Sequence, residues 1–203
     1  MAAQRRPTEH RRVEIAEAAL HLIATRGIAE LTTRQVAEAV GVTTGALFRH
    51  FASLDEILCA VADRVEEILR GTYPPEGLGP IERLERFVDA RASTVGKNVG
   101  ILRLVMSEQF ALALPQEAAT KLQQAVKETR AFVGKAISEG QKLGEIRSDV
   151  APEILTTVVV GTIQVAAFDA ARGAQGPAGR STEVRAGLLR LLAAPAITRG
   201  ASR

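Results

Sequence analysis

Hydrogen-bonding side chains gather in two short runs near the front of this chain, Thr32-Thr33-Arg34 and Thr43-Thr44 followed by Arg49-His50. Hydroxyls, a guanidinium and an imidazole are suited to gripping anionic oxygens and reading the edges of planar rings, not to breaking bonds. Each run stands where a helix should begin. Thr32 with Gln35 has the pattern of a reciprocal capping box, and Thr43 can cap a second, short helix. Gly41 permits a sharp turn between them and Val42 supplies an apolar plug. Backbone N–H groups at the start of the first of these helices are unsatisfied and positive. A phosphate can dock there, with the Thr33 hydroxyl and Arg34 as added donors.

Two helices crossing at a fixed angle need a small residue, a glycine in the turn and an apolar residue beyond it; Ala37, Gly41 and Leu47 stand at that helix-turn-helix spacing. A generic helical hairpin shares any one of these features, but the set with Val36, Val40, Val42 and both caps is much rarer. On the second helix Thr43, Thr44, Gly45 and Ala46 form a small-residue N-terminal face able to enter a DNA major groove. Arg49 either reaches a guanine or a phosphate or is a solvent-facing charge.

The elements that must hold these residues follow from apolar periodicity. Helix one carries Ile15, Ala19, Leu22 and Ile23 and stops at Gly27; helix two runs to about Val40 and helix three to about Phe51. Ser53 caps helix four, whose face is Ile57, Leu58, Val61, Val65, Ile68 and Leu69. After the Gly/Pro-rich stretch Gly71 to Pro80, helix five carries Ile81, Leu84, Phe87, Val88, Arg91 and Val95. Helix six is expected from Val99 to Ala113, helix seven from Glu117 to Leu143, helix eight from Pro152 to near Arg172, and helix nine from a Ser181 or Thr182 cap to Pro195. The expected fold is all-α, with about nine helices and no strand.

Composition agrees: of 203 residues 46% are hydrophobic, mostly aliphatic, while aromatics are 3% and Trp is absent, a balance that favours packed helices. A formal charge of +3 is too small to mark a nucleic-acid binder by itself. Its distribution says more, since Arg5, Arg6, Arg11 and Arg12 make the front of the chain either a mobile basic arm for phosphates or a solvated end. The single cysteine, Cys59, excludes an internal disulfide and suits a reducing, cytoplasmic compartment. No secretory signal is visible in residues 1–12, and the most apolar run, Ile154 to Phe168, is shorter than the roughly 20 residues that cross a bilayer. It reads as a buried helix, with no membrane partner.

An all-α enzyme using the N-terminal helices as scaffold would need a nucleophile with a base, paired carboxylates, a phosphate loop or a metal cluster. Cys59 has no nearby His, and His10 and His21 lack ligand-spaced partners, so no catalytic residue, metal or cofactor is expected. A protein-binding module that has lost DNA binding is a third possibility.

The stretch from Leu31 to Leu58, LTTRQVAEAVGVTTGALFRHFASLDEIL, resembles the DNA-binding domain of the TetR/AcrR family of bacterial transcriptional regulators, and the likeness continues without gaps from Ile15. Glu139-Gly140 and Gly144 to Arg147 before Pro152 agree with it more weakly. The resemblance implies a helix-turn-helix DNA-binding domain over 1–52, a connecting helix over 53–70 and a ligand-binding and dimerisation domain over 71–203. The DNA-contacting set is then Thr33, Arg34, Thr43, Thr44, Gly45, Ala46, Phe48, Arg49 and His50, with His50 either on a phosphate or packed against helix four. Phe48 replaces a usual Tyr, keeping the packing without the hydroxyl, and Leu54 replaces a common phosphate-binding Lys.

The same resemblance implies repression of a roughly palindromic, double-stranded operator by a homodimer joined through helices eight and nine, at Thr157, Gly161, Val165, Phe168, Leu188, Leu189 and Leu192. These helices are otherwise buried within one subunit. A small-molecule effector would sit among Phe87, Arg91, Leu104, Met106, Phe110, Phe132 and Phe168, residues that read equally as ordinary core. Arg91 continues an apolar stripe and needs a partner: an acidic, largely apolar effector, or an internal acid such as Glu108 or Asp169.

Overall fold

Three hydroxyl side chains set the helix starts of the N-terminal third, each accepting from a backbone N–H that the helix itself leaves orphaned. Thr32 caps α2 (Thr33–Ala39) and completes the capping box with Gln35; Thr43 caps α3 (Thr44–Leu47); Ser53 caps α4 (Leu54–Arg70). The computed structural model describes residues 6–106, 112–171 and 179–194. Around these three helices are α1 (Arg6–Arg26), α5 (Pro80–Lys97), α6 (Val99–Met106), α7 (Gln116–Lys142), α8 (Pro152–Ala171) and α9 (Gly179–Leu192). Among the described residues the architecture is all-α with nine α-helices, as expected, and the only extended pairing is an isolated antiparallel bridge between Ile146 and Ala193.

Several ends differ from expectation. Helix α3 stops at Leu47, and residues 48–50 continue as a hydrogen-bonded turn in which His50 N donates to Leu47 O at 2.9 Å. Helix α9 starts at Gly179, so Ser181 and Thr182 fall inside its first turn instead of capping it. Helix α6 is described to Met106; the expected continuation over residues 107–111 lies outside the described residues. From Arg6 onward the basic front of the chain is helical, not an arm.

The Gly/Pro-rich stretch after α4 does not divide the core. One apolar cluster joins Ile15, Ala19 and Ile23 of α1, Val36 and Leu47 of the helix-turn-helix and Val61 and Val65 of α4 to Ile101 and Leu102 of α6 and Leu122 and Ala125 of α7. A second joins α5, α7, α8 and α9 through Leu84, Phe87, Val133, Ile137, Val159, Leu188 and Leu192. Arg64 of α4 adds a cross-helix pair to Glu17 of α1 at 2.6 Å. At Gly100 the α6 backbone sits directly on α1: a Cβ there would lie 2.6 Å from the Leu20 carbonyl oxygen, closer than atoms tolerate.

Helix α8 is apolar on opposite sides. Val159, Ile163 and Ala167 are buried, while Ile154, Val158, Val165 and Phe168 are exposed. Its stretch Pro152–Ala170 is long and apolar enough to cross a bilayer, contrary to the sequence-based expectation of too short a run, but one side of it is already packed into the protein core.

Candidate nucleic-acid interface and C-terminal cavity

The α2–α3 crossing is closed by apolar contact. Val36, Ala37 and Leu47 are buried, Val42 N donates to Ala37 O at 2.9 Å, and Gly41 takes φ 70°, a left-handed conformation that costs glycine little. What remains outside is the N-terminal edge of α3. Thr43 and Gly45 are exposed and Thr44 and Ala46 half-buried, so two hydroxyls and two small groups stand at the surface. Thr43 accepts from Ala46 N at 3.2 Å, which leaves its own hydroxyl proton available to donate outward. Arg49 is exposed beside them.

Thr33 is half-buried at the first turn of α2. Arg34 is 84% exposed and paired with Glu38 one turn on at 2.9 Å, which holds the guanidinium charge even more firmly than usual. Glu38 therefore competes with any phosphate for Arg34. Phe48, expected to keep the packing of the usual Tyr and placed in the DNA-contacting set, is 47% exposed at the same surface. Leu54 packs against the first apolar cluster, so its position is used for the core.

His50 is half-buried, with Nδ1 enclosed and lacking a hydrogen-bond partner among the described residues. Its backbone carbonyl accepts from Arg12 Nη1, and the Arg12 guanidinium lies 4.0 Å from the centre of the Phe51 ring. Sequence reasoning left Arg12 either on a phosphate-seeking arm or in a solvated end. The structure uses it to pin the turn after α3.

The second feature is a cavity of about 70 Å³ between α4, α5, α6, α7 and α8. Leu69, Val95, Ile101, Leu102, Val105, Val126, Val160 and Ile163 give it an aliphatic wall, with Arg91, Thr129 and Gln164 as its polar members. Of the residues expected there, Arg91 lines it. Phe87 and Phe132 lie behind it in a ring cluster with Tyr73, at centroid distances of 4.8 to 5.3 Å. Leu104 faces a neighbouring cavity of about 300 Å³. Phe168 is 43% exposed and is not among the residues that line this cavity. The Met106 side chain and Phe110 lie outside the described residues. The aliphatic lining was missed because no residue type announces it; the available signal was the i, i+3, i+4 spacing of Val160, Ile163 and Gln164.

Arg91 is 4% exposed, and its Nε and Nη2 have no hydrogen-bond partner among the described residues. Burial pushes the guanidinium below its ordinary pKa, opposed by the Tyr73 phenol. The rings of Phe87 and Tyr73 lie 4.8 and 5.2 Å from its central carbon and the Tyr73 phenol also hydrogen-bonds the guanidinium, which supports the cation but leaves Nε and Nη2 without a partner among the described residues. Asp169, one expected internal partner, is exposed on α8 and appears in no ion pair with Arg91; Glu108 lies outside the described residues.

Of the expected dimer residues, Thr157, Val165 and Phe168 are exposed on α8 and Gly161 is half-buried. Leu188 and Leu192 are corrected: at 3% and 1% exposure they fill the subunit's own second cluster. Leu189 is half-buried, and Leu191 is the α9 leucine that faces out. Cys59 is half-buried, with its thiol pushed up by burial and by Glu117 and Asp63, the opposite of an activated nucleophile.

An all-helical chain with a helix-turn-helix at one end, tied by α4 to a cavity at the other, has the build of a DNA-binding regulator. Residues 15–61 match the sequence profile of bacterial regulatory proteins of the tetR family. The helix-turn-helix segment is thus similar to the DNA-binding part of that family. It is 27% identical over 159 residues to the transcriptional repressor KstR2 of Rhodococcus jostii, covering 77% of this chain and 78% of that protein. The fold matches that of the ketosteroid regulator KstR2 of Mycobacterium tuberculosis (TM-score 0.74, 21% identity, 91% of this chain and 96% of that one). It also matches AibR in complex with isovaleryl coenzyme A and operator DNA (TM-score 0.73, 20% identity, 91% and 99% of the two chains).

Proposed function

We propose that the chain is a cytoplasmic, ligand-responsive repressor that binds a roughly palindromic operator as a homodimer and is released by a small molecule in the C-terminal cavity. The observation that carries this is the exposed N-terminal edge of α3 above a fully buried α2–α3 crossing: Thr43, Thr44, Gly45 and Ala46 are free to approach base edges while Ala37 and Leu47 fix their angle. Thr33, Arg34 and His50 position the protein on phosphates, Arg49 reaches the groove beside Thr44, and the Phe48 ring covers sugar surface.

One such head grips weakly, and the outward apolar side of α8, with Val165 and Phe168, supplies a surface for a second subunit. Two heads then address half-sites about 34 Å apart. Helix α4 supports the coupling. Its 17 residues span about 25 Å, from the Ser53 cap beneath α3 to Leu69 on the cavity wall. A ligand that displaces Leu69 moves the base of the reading head, so one set of contacts biases the other. AibR holds both an acyl thioester and operator DNA on the same fold.

Fluorescence anisotropy against DNA from upstream of the chain's own coding sequence tests the reading. Specific binding in the range of about 10 nM or tighter, steeply weakened by salt, is expected. Micromolar binding indifferent to sequence would sink it.

A further inference from the structure

We propose that Arg91 is a carboxylate anchor and that the cavity takes a free, short-chain aliphatic acid. This deepens the ligand-responsive reading above and rests on it. A guanidinium carries five N–H donors, and burying them without acceptors in an aliphatic setting is unfavourable. In the cavity, the Thr129 hydroxyl is committed to Ala125 O at 2.9 Å, and Nε and Nη2 of Arg91 have no partner among the described residues. These two nitrogens form one edge of the guanidinium, and their parallel N–H groups match the two oxygens of a single carboxylate. The Phe87 and Tyr73 rings hold the flat face of the cation, which leaves that edge as the unsatisfied part.

The charge selects a monoanion, because one guanidinium neutralises one carboxylate and would leave a phosphate dianion partly uncompensated in the same apolar wall. Size excludes a nucleotide-bearing headgroup at this depth. The space is about 70 Å³, whereas about 150 Å³ holds a benzene ring. Val105 and Val126 line both this space and a neighbouring one of about 300 Å³, so an aliphatic chain longer than the first space holds would have to displace these two side chains to reach the second. An acyl-CoA would offer Arg91 only a neutral thioester carbonyl.

The test is calorimetric titration of the full chain, without DNA, with butanoate, hexanoate and octanoate, and with hexanamide, hexanol, hexyl phosphate and hexanoyl-CoA. At least one acid should bind about thirtyfold more tightly than the corresponding amide or alcohol, the discrimination expected of a charge-assisted bidentate pair. Arg91→Met should bind hexanoate and hexanamide alike. Arg91→Lys keeps the charge but loses the fork, and should bind the acid about tenfold more weakly than wild type with normal helical circular dichroism; it decides the matter if the methionine variant does not fold. The proposal is overturned by equal affinity for acid and amide, by tighter binding of hexanoyl-CoA or hexyl phosphate, by an acid preference that survives in both variants, or by no acid binding at all. Because no DNA is present, these outcomes are independent of whether the operator assay succeeds.

Discussion

The Arg12 guanidinium sits over the Phe51 ring and donates to the His50 carbonyl, so the first helix grips the turn that ends the reading helix. The turn after the four-residue α3 is held locally by backbone bonds from Arg49, His50 and Phe51 N to Ala46 and Leu47 O, and an anchor 38 residues away in sequence ties it to α1. Arg12→Ala is therefore expected to weaken specific operator binding about tenfold, with loss of the ring contact and a charged hydrogen bond costing about 1 kcal/mol of stability. The slope of affinity against salt separates this from a phosphate contact. An unchanged slope fits a positioning role; a slope lowered by about one unit would return Arg12 to the phosphate arm.

Glu38 draws Arg34 along the helix surface and places a negative charge close to where a phosphate must come. Glu38→Gln should strengthen binding to all DNA sequences alike, by about threefold at low salt, while Arg34→Ala should weaken all alike and flatten the salt dependence. Thr44→Ala should do neither, and instead relax sequence preference. Anisotropy titrations with operator and scrambled duplexes check the three together; uniform loss in Thr44→Ala and Arg34→Ala would end the division between reading and positioning residues.

The helix-turn-helix was legible in the sequence because its determinants are local. Thr32, Thr43 and Ser53 cap where their spacing to the following N–H groups says they should, and Gly41 turns where a left-handed residue is needed. The cavity was not legible for the opposite reason. Aromatic residues drew the expectation, but Phe87 and Phe132 close on Tyr73, and the cavity wall is aliphatic. Where a helix is apolar all round, as α8 is, periodicity carries no information about which side faces in, so Phe168 was assigned inward as well as outward. The same ambiguity in the leucines of α9 put Leu188 and Leu192 on the surface, where Leu191 stands instead. Arg12 on Phe51 is a long-range contact that no local pattern encodes.

A buried guanidinium whose Nε and Nη2 have no partner among the described residues, if they serve a ligand, should cost stability when the ligand is absent. Arg91→Met keeps much of the volume and removes the desolvated charge, and replacing buried charges by apolar groups is often stabilising by about 1–4 kcal/mol. The ligand-free variant is expected to melt several degrees above wild type in differential scanning calorimetry. A lower melting temperature would mean that Arg91 is satisfied within the apo protein.

Arg83 on α5 bonds Glu139 on α7 and holds that carboxyl below the usual carboxylate range. A depressed folded-state value means the contribution is complete above the unfolded carboxyl's ordinary value and is lost as pH falls through the folded one. Wild-type melting temperature should thus fall more steeply than that of Glu139→Gln on going from about pH 5 to about pH 3. Parallel curves would show that the pair adds nothing to stability.

Phe168 and Val165 stand exposed on α8 on the side away from Ile163 and Ala167, and the proposed homodimer would use this apolar patch as its association surface. Because Phe168 is not part of the cavity, replacing it separates dimerisation from effector binding. Phe168→Glu, with Val165→Glu as a second variant, places a charge in the centre of the expected interface, where desolvation without a partner is costly. Sedimentation should show the wild type as a dimer and both variants as monomers at micromolar concentration, with helical content unchanged. Losing one of two linked heads removes the gain from effective concentration, so operator affinity should fall by about 10²-fold or more while the affinity for a single half-site stays the same. Dimers that persist in both variants would move the interface off this face of α8.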